Sequence, residues 1–262
     1  MIEAGHSHDH GHDHHSHDHD HGHHHHDHAH DHVHDHHHSR GAVVTLEQQI
    51  LAKNNLLAER NRGWFAGRGI LALNLMSSPG AGKTTLLERT IRDLGSALAI
   101  GVIEGDQATE TDAARIRAAG CNAVQINTGT GCHLDADMLR RGLSALKPPR
   151  ESVLLIENVG NLVCPALFDL GERAKVVMLS VTEGDDKPLK YPHMFRAAEV
   201  VIITKSDLLP HVDFSIERCL GNVRAVNRSI RSFVLSAITG DGVGVWYDWL
   251  CAERSAAVEA SI

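Results

Sequence analysis

The 262-residue sequence has few aromatic residues, no long apolar run and no basic residue before Arg40. No apolar run approaches the roughly 20 residues of a membrane-spanning helix, which predicts that the chain does not insert into a membrane. Residues 1–9 contain neither the basic nor the apolar segment of a secretory signal, so we expect a cytoplasmic protein. The five cysteines lack the spacing of a disulfide framework, which in that compartment indicates thiols or metal ligands.

The net negative charge of the chain comes from one end. The formal net charge is −8, and residues 1–39 carry Glu3 and seven Asp with no Lys or Arg. The rest of the chain, with 25 basic and 25 acidic side chains, is therefore neutral. A neutral body with an acidic leader argues against nucleic acid as a partner.

Residues 1–40 form a low-complexity segment of His and Asp. This segment holds 20 of the 23 histidines and almost nothing that could build a core, which predicts a disordered tail. Neutral imidazoles bind Ni²⁺, Cu²⁺ and Zn²⁺, so we expect a tail that binds several ions. A cloned purification tag is the alternative, but the interspersed Asp and irregular spacing argue against it. The densest candidate ligands are His23, His24, His25, His26, His36, His37 and His38.

Residues 41–262 are predicted to form one folded domain that begins with a helix. The sequence from Thr45 to Gln48 fits a capping box, and Leu46, Ile50 and Leu57 recur at helical spacing. We therefore expect a helix from about Thr45 to Asn61, which precedes the first strand.

The stretch from Ser77 to Thr85, SSPGAGKTT, has the pattern of a phosphate-binding P-loop between a strand and a helix. Glycines in such a loop let successive backbone N–H groups point at phosphate oxygens, and the following helix adds the positive end of its dipole. Ser77 stands where the motif has its first Gly, which is tolerable if its backbone angle is ordinary. A bare Gly-rich turn is the alternative, but it does not account for Lys83 and Thr84. The predicted nucleotide-binding residues here are Gly80, Ala81, Gly82, Lys83, Thr84 and Thr85.

Short apolar runs alternate with helical segments after the P-loop. Strands are expected at residues 97–103, 123–126, 152–156, 174–181, 200–203 and 233–235, and a closing helix at 243–250. This alternation predicts an α/β fold of the P-loop NTPase class, with a doubly wound, mainly parallel sheet.

Two carboxylates at the ends of predicted strands are candidates for Mg²⁺ binding and catalysis beside Lys83 and Thr84. Glu157 takes the place of the Walker B acid, and Gly160 follows where a backbone N–H would meet the γ-phosphate. Asp106 also follows a strand, where ligands bind in open α/β sheets. It could orient Mg²⁺ or the attacking water, or it could simply cap the next helix.

A guanine-recognition pattern follows the predicted strand at 200–203. The sequence Thr204-Lys205-Ser206-Asp207 resembles N-K-x-D with Thr in place of Asn, and Ser236-Ala237 resembles the loop that contacts guanine O6. The Asp207 carboxylate could accept hydrogen bonds from guanine N1 and N2, which adenine cannot supply. A surface turn is the alternative; behind a P-loop, the pattern predicts a GTP site.

Cys132, His133 and Cys164 follow strand ends on the predicted nucleotide side of the sheet. Two thiolates and an imidazole can hold Ni²⁺ or Zn²⁺. The alternative is that the cysteines are small buried side chains and the histidine is a polar cap. Spacing alone leaves both interpretations open.

Three longer motifs closely resemble the hydrogenase nickel-incorporation GTPases, the HypB family. They are GCHLD (131–135), ENVGNLVCP (157–165) and VTEGDDKPLKYP (181–192), and the likeness runs from about Thr45 to the end. The resemblance implies hydrolysis of GTP to GDP and phosphate with Mg²⁺, coupled to nickel delivery during [NiFe]-hydrogenase maturation. It also implies a GTP-dependent homodimer, with other hydrogenase maturation proteins and the hydrogenase large subunit as partners.

In this family the G-domain metal ligands correspond to Cys132, His133 and Cys164, with Ni²⁺ or Zn²⁺ as the ion. The His-rich leader is similar to that of members thought to store nickel. One departure is that residues 1–5 lack the Cys-x-x-Cys-Gly-Cys site of some members, so a tight thiolate nickel site there is not expected. The alternatives are a metal storage protein, which would need only the tail, and an accessory GTPase for another nickel enzyme such as urease.

Overall fold

The structure, a computed structural model, describes residues 37–106, 111–129 and 131–262. Side chains are described from residue 45 onward, except at 111. His23 to His26 and His36 lie outside the described residues, whereas the backbone of His37 and His38 belongs to the first helix. The elements in chain order are α1 (His37–Ala66), β1 (Leu71–Ser77), α2 (Lys83–Leu94), β2 (Ile100–Asp106), α3 (Thr111–Ala118), β3 (Asn122–Asn127), α4 (Ala136–Leu146), β4 (Val153–Glu157), α5 (Cys164–Leu167), β5 (Ala174–Ser180), α6 (Lys187–Lys190), α7 (Pro192–Ala197), β6 (Val200–Thr204), a 3₁₀ helix (Ser206–His211), α8 (Ile216–Val226), β7 (Arg231–Val234) and α9 (Val243–Glu259).

The seven strands form one sheet in the order β3-β2-β4-β1-β5-β6-β7, and every pair is parallel. This confirms the predicted P-loop α/β fold. Because β1 lies between β4 and β5, the P-loop that follows it emerges at the centre of the carboxyl edge. Among the described helices, none combines the length and the apolar character needed to cross a bilayer.

Helices cover both faces of the sheet. Alternate residues of β1 point to opposite faces: Leu73 joins the core under α2, α3 and α9, and Ala72 joins the core under α1 and α4. On the first face Trp246 of α9 is fully buried, and its indole N–H donates to Thr90 Oγ1 of α2 at 3.0 Å. The five inner strands are buried on both sides along most of their length, which accounts for their largely apolar sequence, whereas the edge strands β3 and β7 are only partly buried.

Helix α1 is longer than predicted at both ends. It begins at His37, so Thr45 lies inside the helix and the predicted capping box is wrong. Residues 38–44 contain no proline, so a helix can pass through them despite the polar residues and Gly41. It ends at Ala66 rather than Asn61 because Phe65 packs into the core of the second face.

Two buried asparagines fasten α1 to the loops beside the sheet. Asn54 accepts a hydrogen bond from Ala136 N at 2.9 Å and donates to Asp169 O at 2.7 Å. Asn61 donates to Ala136 O at 2.9 Å and to Leu170 O at 3.0 Å. These bonds satisfy backbone groups that would otherwise be buried without partners.

The other predicted helices differ less from the structure than α1 does. Helix α4 begins at Ala136, because Asp135 caps it by accepting from Met138 N at 2.7 Å. Helix α9 extends to Glu259, beyond the predicted end at residue 250, and α8 was not predicted. Within the 181–192 motif that follows β5, α6 starts at Lys187.

Candidate functional site

The P-loop has the backbone shape that its glycines permit. Gly80 has φ +74° and Gly82 has φ +96°, both in the left-handed region that disfavours other residues. Gly82 precedes the first residue of α2, so the N-terminal N–H groups of α2 face the loop. Ser77 is absent from the positive-φ residues of the described chain, which satisfies the condition under which Ser can replace Gly.

The Ser77 hydroxyl has a role that sequence reasoning missed. Its Oγ accepts a hydrogen bond from Lys83 Nζ at 2.8 Å and donates to Ser78 O at 2.6 Å. Burial lowers the pKa of Lys83, opposed chiefly by the charge of Glu157. The Lys83 ammonium is therefore held over the loop by the neutral Ser77 hydroxyl. An anionic phosphate would attract this ammonium more strongly than the hydroxyl does.

A cavity of about 490 Å³ opens above the P-loop. It is of the size that small-molecule sites usually have. The structure brings ten of the predicted residues together in its wall: Gly80, Ala81, Gly82, Lys83, Thr84, Thr85, Asp106, Glu157, Gly160 and Lys205. Gly160 packs so tightly that a Cβ there would lie 3.1 Å from Pro79 of the loop.

Two buried acids line the cavity above the P-loop, which we call the phosphate cavity. Thr84 Oγ1 donates to Glu157 Oε1 at 2.9 Å, while the buried Oε2 has no partner among the described residues. Burial raises the pKa of Glu157 to about 7, opposed by Lys83 and Thr84. Glu104, which no sequence motif marks, is 2 % exposed and also lines the cavity. Burial, followed by the charges of Glu157, Asp112 and Asp106, raises its pKa to about 8.

These oxygens fit a hard divalent cation. Glu157 Oε2 and Glu104 Oε2 are both buried acceptors without a hydrogen-bond partner in the described part of the chain. Two acidic groups buried together destabilise each other unless protons or a cation neutralise them. Carboxylate and hydroxyl oxygens are the ligands that Mg²⁺ takes beside nucleotide phosphates.

A smaller cavity of about 120 Å³ adjoins the phosphate cavity and shares Gly82, Thr85 and Lys205 with it. Its wall contains the remaining predicted nucleotide residues, Asp207, Ser236 and Ala237. Asp207 Oδ1 is buried and, among the residues described, has no hydrogen-bond partner. Such an acceptor in a pocket is the arrangement that two N–H donors of a purine base would satisfy.

Thr204 stands where the N-K-x-D motif has Asn. It links the smaller cavity, which we call the base cavity, to the P-loop. Its Oγ1 donates to Ala81 O at 2.6 Å. Lys205, in a left-handed conformation with φ +58°, donates from Nζ to Gly80 O at 2.7 Å. The hydroxyl thus bonds directly to the loop that holds the phosphates.

Lys187 is a second residue whose contacts sequence reasoning did not predict. Its Nζ donates to Ser78 Oγ at 3.1 Å and lies 3.2 Å from Glu183 Oε2. The motif from Val181 to Pro192 was the available signal, because its charges follow a buried strand at the edge where ligands bind. The structure places this motif against the P-loop.

Cys132, His133 and Cys164 come together at the same edge of the sheet. One ligand atom from each lies within 4.8 Å of the others, and Cys132 Sγ is 3.7 Å from His133 Nδ1. The hydrogen bond with the Cys132 thiol, and then burial, raise the pKa of the Cys164 thiol. Because metal ions bind thiolates, occupation of this site would release protons.

The imidazole of His133 is held in place by an aromatic neighbour. Its ring stacks on Phe168, with centroids 3.8 Å apart and planes at 27°. Burial lowers the pKa of His133, opposed by the charge of Asp135. The ring is therefore favoured in the neutral form that ligates metals.

Comparisons with known proteins show which family the chain resembles. The family model described as CobW/HypB/UreG, nucleotide-binding domain, matches residues 71–234. The hydrogenase maturation factor HypB of Rhizobium leguminosarum bv. viciae is 55 % identical over 222 residues, which cover 85 % of this chain and 74 % of that protein.

Two solved structures are also similar. HypB from Archaeoglobus fulgidus matches with a TM-score of 0.73 and 41 % identity, covering 78 % of this chain and 100 % of that one. HypB from Helicobacter pylori in complex with nickel matches with a TM-score of 0.73 and 37 % identity, covering 78 % of this chain and 95 % of that one.

Proposed function

The chain belongs to the HypB family of hydrogenase maturation factors, and on that premise we propose that it hydrolyses GTP to GDP and phosphate to drive nickel insertion into [NiFe]-hydrogenase. The observation that carries the proposal is the position of one segment. Residues 157–164 begin in the wall of the phosphate cavity and end at Cys164. Cys132, His133 and Cys164 together are called the metal triad. A change at the γ-phosphate therefore has a short path to a metal ligand.

The nucleotide is bound by the residues of the two adjoining cavities. The P-loop amides and Lys83 hold the phosphates, and Gly160 offers its N–H to the γ-phosphate. Asp207 accepts from guanine N1 and N2, with Lys205 along the base and Ser236-Ala237 beside O6. The unpaired Asp207 Oδ1 supports guanine over adenine, since adenine would leave that oxygen without a donor.

Mg²⁺ is the cofactor that the floor of the phosphate cavity fits. Thr84 and Glu157 would hold it, with Asp106 as a further ligand or the group that orients water. When bound, Mg²⁺ neutralises charge on the phosphate oxygens. The chain's own contribution is to position the phosphates with Lys83 and to shield the reacting bond with Gly160 and Pro79.

Nickel is the cargo, held by Cys132, His133 and Cys164. Two thiols and a neutral imidazole suit Ni²⁺ and also Zn²⁺. The similarity to a HypB solved with nickel supports the first choice. Thiols in this role require a reducing compartment, so we place the protein in the cytoplasm.

The remaining parts of the proposal concern assembly and the tail. Residues 1–40 store nickel through their histidines, and residues 41–262 form the GTPase domain. The active form is a GTP-dependent homodimer. It acts with other hydrogenase maturation proteins on the hydrogenase large subunit.

The proposal is tested by replacing Lys83 with Ala in the full chain. Phosphate release from GTP is expected to fall at least about 100-fold, because the buried ammonium is lost from the phosphates. Phosphate release from ATP is expected to be negligible for both proteins. In cells lacking the native protein, the variant is expected to leave hydrogenase inactive at low nickel, and added nickel is expected to restore activity.

Storage and delivery give opposite results in this experiment. A storage protein needs only its tail, so Lys83→Ala would support hydrogenase maturation as well as the native chain does. That outcome would contradict the proposal. Equal hydrolysis of ATP and GTP by the native chain would contradict the guanine site.

A further inference from the structure

We propose that Asn158 is the positioning residue through which the nucleotide site sets the geometry of the metal triad. The inference rests on the proposed function and assigns one side chain to the coupling between its two sites. Asn158 directly follows β4 and is 1 % exposed, yet it also lines the phosphate cavity. Its amide makes hydrogen bonds to Val159, Leu134 and Asn74.

One oxygen of Asn158 serves both sites. Asn158 Oδ1 accepts from Val159 N at 3.0 Å and from Leu134 N at 3.1 Å. Val159 lies in the wall of the phosphate cavity, next to Gly160. Leu134 follows His133 directly. An amide oxygen has two lone pairs, so it can hold both N–H groups at once, and a displacement of this oxygen by one N–H group is passed to the other.

The nitrogen of the same amide fixes its position in the core. Asn158 Nδ2 donates to Asn74 Oδ1 at 3.2 Å, and Asn74 Nδ2 donates to Glu172 Oε1 at 3.1 Å. This chain of bonds holds the amide plane against β1. Rotation of the amide would therefore break a bond in the core, so the side chain transmits displacement rather than absorbing it.

The metal end of the link is also tightly packed. The Leu134 side chain is fully buried, and it lies so close to β2 that a Cβ on Gly105 would be 2.6 Å from Leu134 Cγ. With its side chain fixed on the sheet and its N–H fixed on Asn158, Leu134 determines where His133 enters the site. Movement of Val159 is thus passed to a second metal ligand, in addition to Cys164 on the same segment.

The experiment measures nickel affinity of the full chain with GDP and with a non-hydrolysable GTP analogue. The thiolate-to-nickel absorption band reports the triad selectively, because residues 1–40 contain no cysteine. Competition with a chelator sets free Ni²⁺. The native chain is expected to show at least about a fivefold difference between the two nucleotide states. In Asn158→Ala that difference is expected to fall below about twofold.

Asn227→Ala is the matched control. Asn227 also donates to two backbone carbonyls, Phe195 O at 3.1 Å and Ala198 O at 2.9 Å, but it lies away from both sites. It is expected to keep the native difference. If Asn158→Ala also keeps that difference, the assignment is wrong while the proposed function stands. If the native chain shows no difference, the coupling in the proposed function fails first.

A second measurement needs no variant and covers the case in which Asn158→Ala does not fold. Backbone hydrogen exchange in the nickel-free native chain is expected to change together at Leu134 and Val159 when the analogue replaces GDP. Unchanged exchange at Leu134, with a change at Val159, would overturn the proposal.

Discussion

Asp207 is the residue that we propose selects the base. Its buried Oδ1 lacks a hydrogen-bond partner among the described residues, which costs free energy unless a ligand supplies donors. The Thr in place of Asn in the motif does not weaken this reading, because Thr204 bonds to the P-loop. The proposal therefore assigns base specificity to the Asp207 carboxylate.

Replacing Asp207 with Asn is expected to change the base preference of the nucleotide site from guanine to xanthine. The amide would present N–H₂ to the guanine N2 amino group, which is also a donor, so affinity for GTP should fall roughly 100-fold or more. Xanthine has a carbonyl oxygen at that position, so affinity for xanthosine triphosphate should rise. Titration with fluorescent analogues of both nucleotides measures the exchange, and a parallel loss for both would contradict this role.

Glu104 makes the stability of the nucleotide-free protein depend on pH. Burial raises its pKa from an ordinary value of 4.5 to about 8, so the folded state holds a proton that the unfolded state releases. Between these two pH values the folded state binds more protons, and stability falls as pH rises. Glu104→Gln removes this loss and should raise Tm by about 3 °C or more at pH 8.

The same variant is expected to change Tm little near pH 4.5, where the glutamate is protonated in the folded state. Thermal unfolding of nucleotide-free and Mg²⁺-free protein at both pH values measures the difference. Glu217→Gln, at an exposed position in the first turn of α8, is the control. A gain at pH 4.5 as large as that at pH 8 would show that the effect is not ionisation.

At this scale, sequence reasoning selected residues where a motif fixed both residue type and spacing. Lys83, Thr84 and Asp207 were selected in this way and Cys164 from the family resemblance, and the structure places each in a cavity wall or in the triad. Glu104 was missed because a lone acid inside a strand carries no spacing signal. The contact of Lys187 with Ser78 joins segments far apart in sequence, so it depends on the fold.

At the scale of elements, the close contact between α1 and the loop before β5 requires a glycine at position 171. Gly171 has φ +87°, and a Cβ there would lie 2.4 Å from Ala58 O and 2.8 Å from Arg62 N. No side chain fits between the loop and the helix backbone. Both obstacles are main-chain atoms, so they cannot move aside as a flexible side chain would.

Gly171→Ala is therefore expected to destabilise the protein by about 3 kcal/mol or more, from backbone strain and steric overlap. Urea unfolding measures the change. Gly221→Ala is the control, since Gly221 lies inside α8 with open space around it. Alanine there should stabilise by about 0.5–1 kcal/mol. Equal effects at the two positions would contradict the role given to Gly171.

The helices were predicted less accurately than the strands. Buried strands were predictable because each is a short apolar run, and the structure shifts their ends by only a few residues. The start of α1 was not, since a capping box gives only a local preference. The asparagines that anchor α1 bond to residues about 75 to 115 positions away, which no local pattern reveals.

For the whole molecule, the sequence predicts two parts with separate roles. Deleting residues 1–39 is expected to reduce sharply the number of Ni²⁺ ions bound per chain, because 20 of the 23 histidines are lost. GTP hydrolysis should stay within about twofold, since P-loop chemistry uses none of these residues. Equilibrium dialysis and phosphate release are the two measurements.

Cys164→Ser is the complementary variant in the same experiment. It should leave the bulk of bound nickel in place and weaken the thiolate absorption band, because one of the two thiolate ligands of the triad is lost. If tail deletion abolished hydrolysis, or if Cys164→Ser removed most of the nickel, the division into tail and GTPase domain would be wrong.

The bond between Trp246 and Thr90 gives the protein a built-in optical probe. The indole is buried against α2, the helix whose first turn forms part of the phosphate site. Indole emission shifts in wavelength and intensity with the polarity and hydrogen bonding around the ring. Nucleotide arrival at the far end of α2 is therefore expected to change the chain's own fluorescence, to which Trp64 and Trp249 also contribute, so that binding is followed with no dye attached.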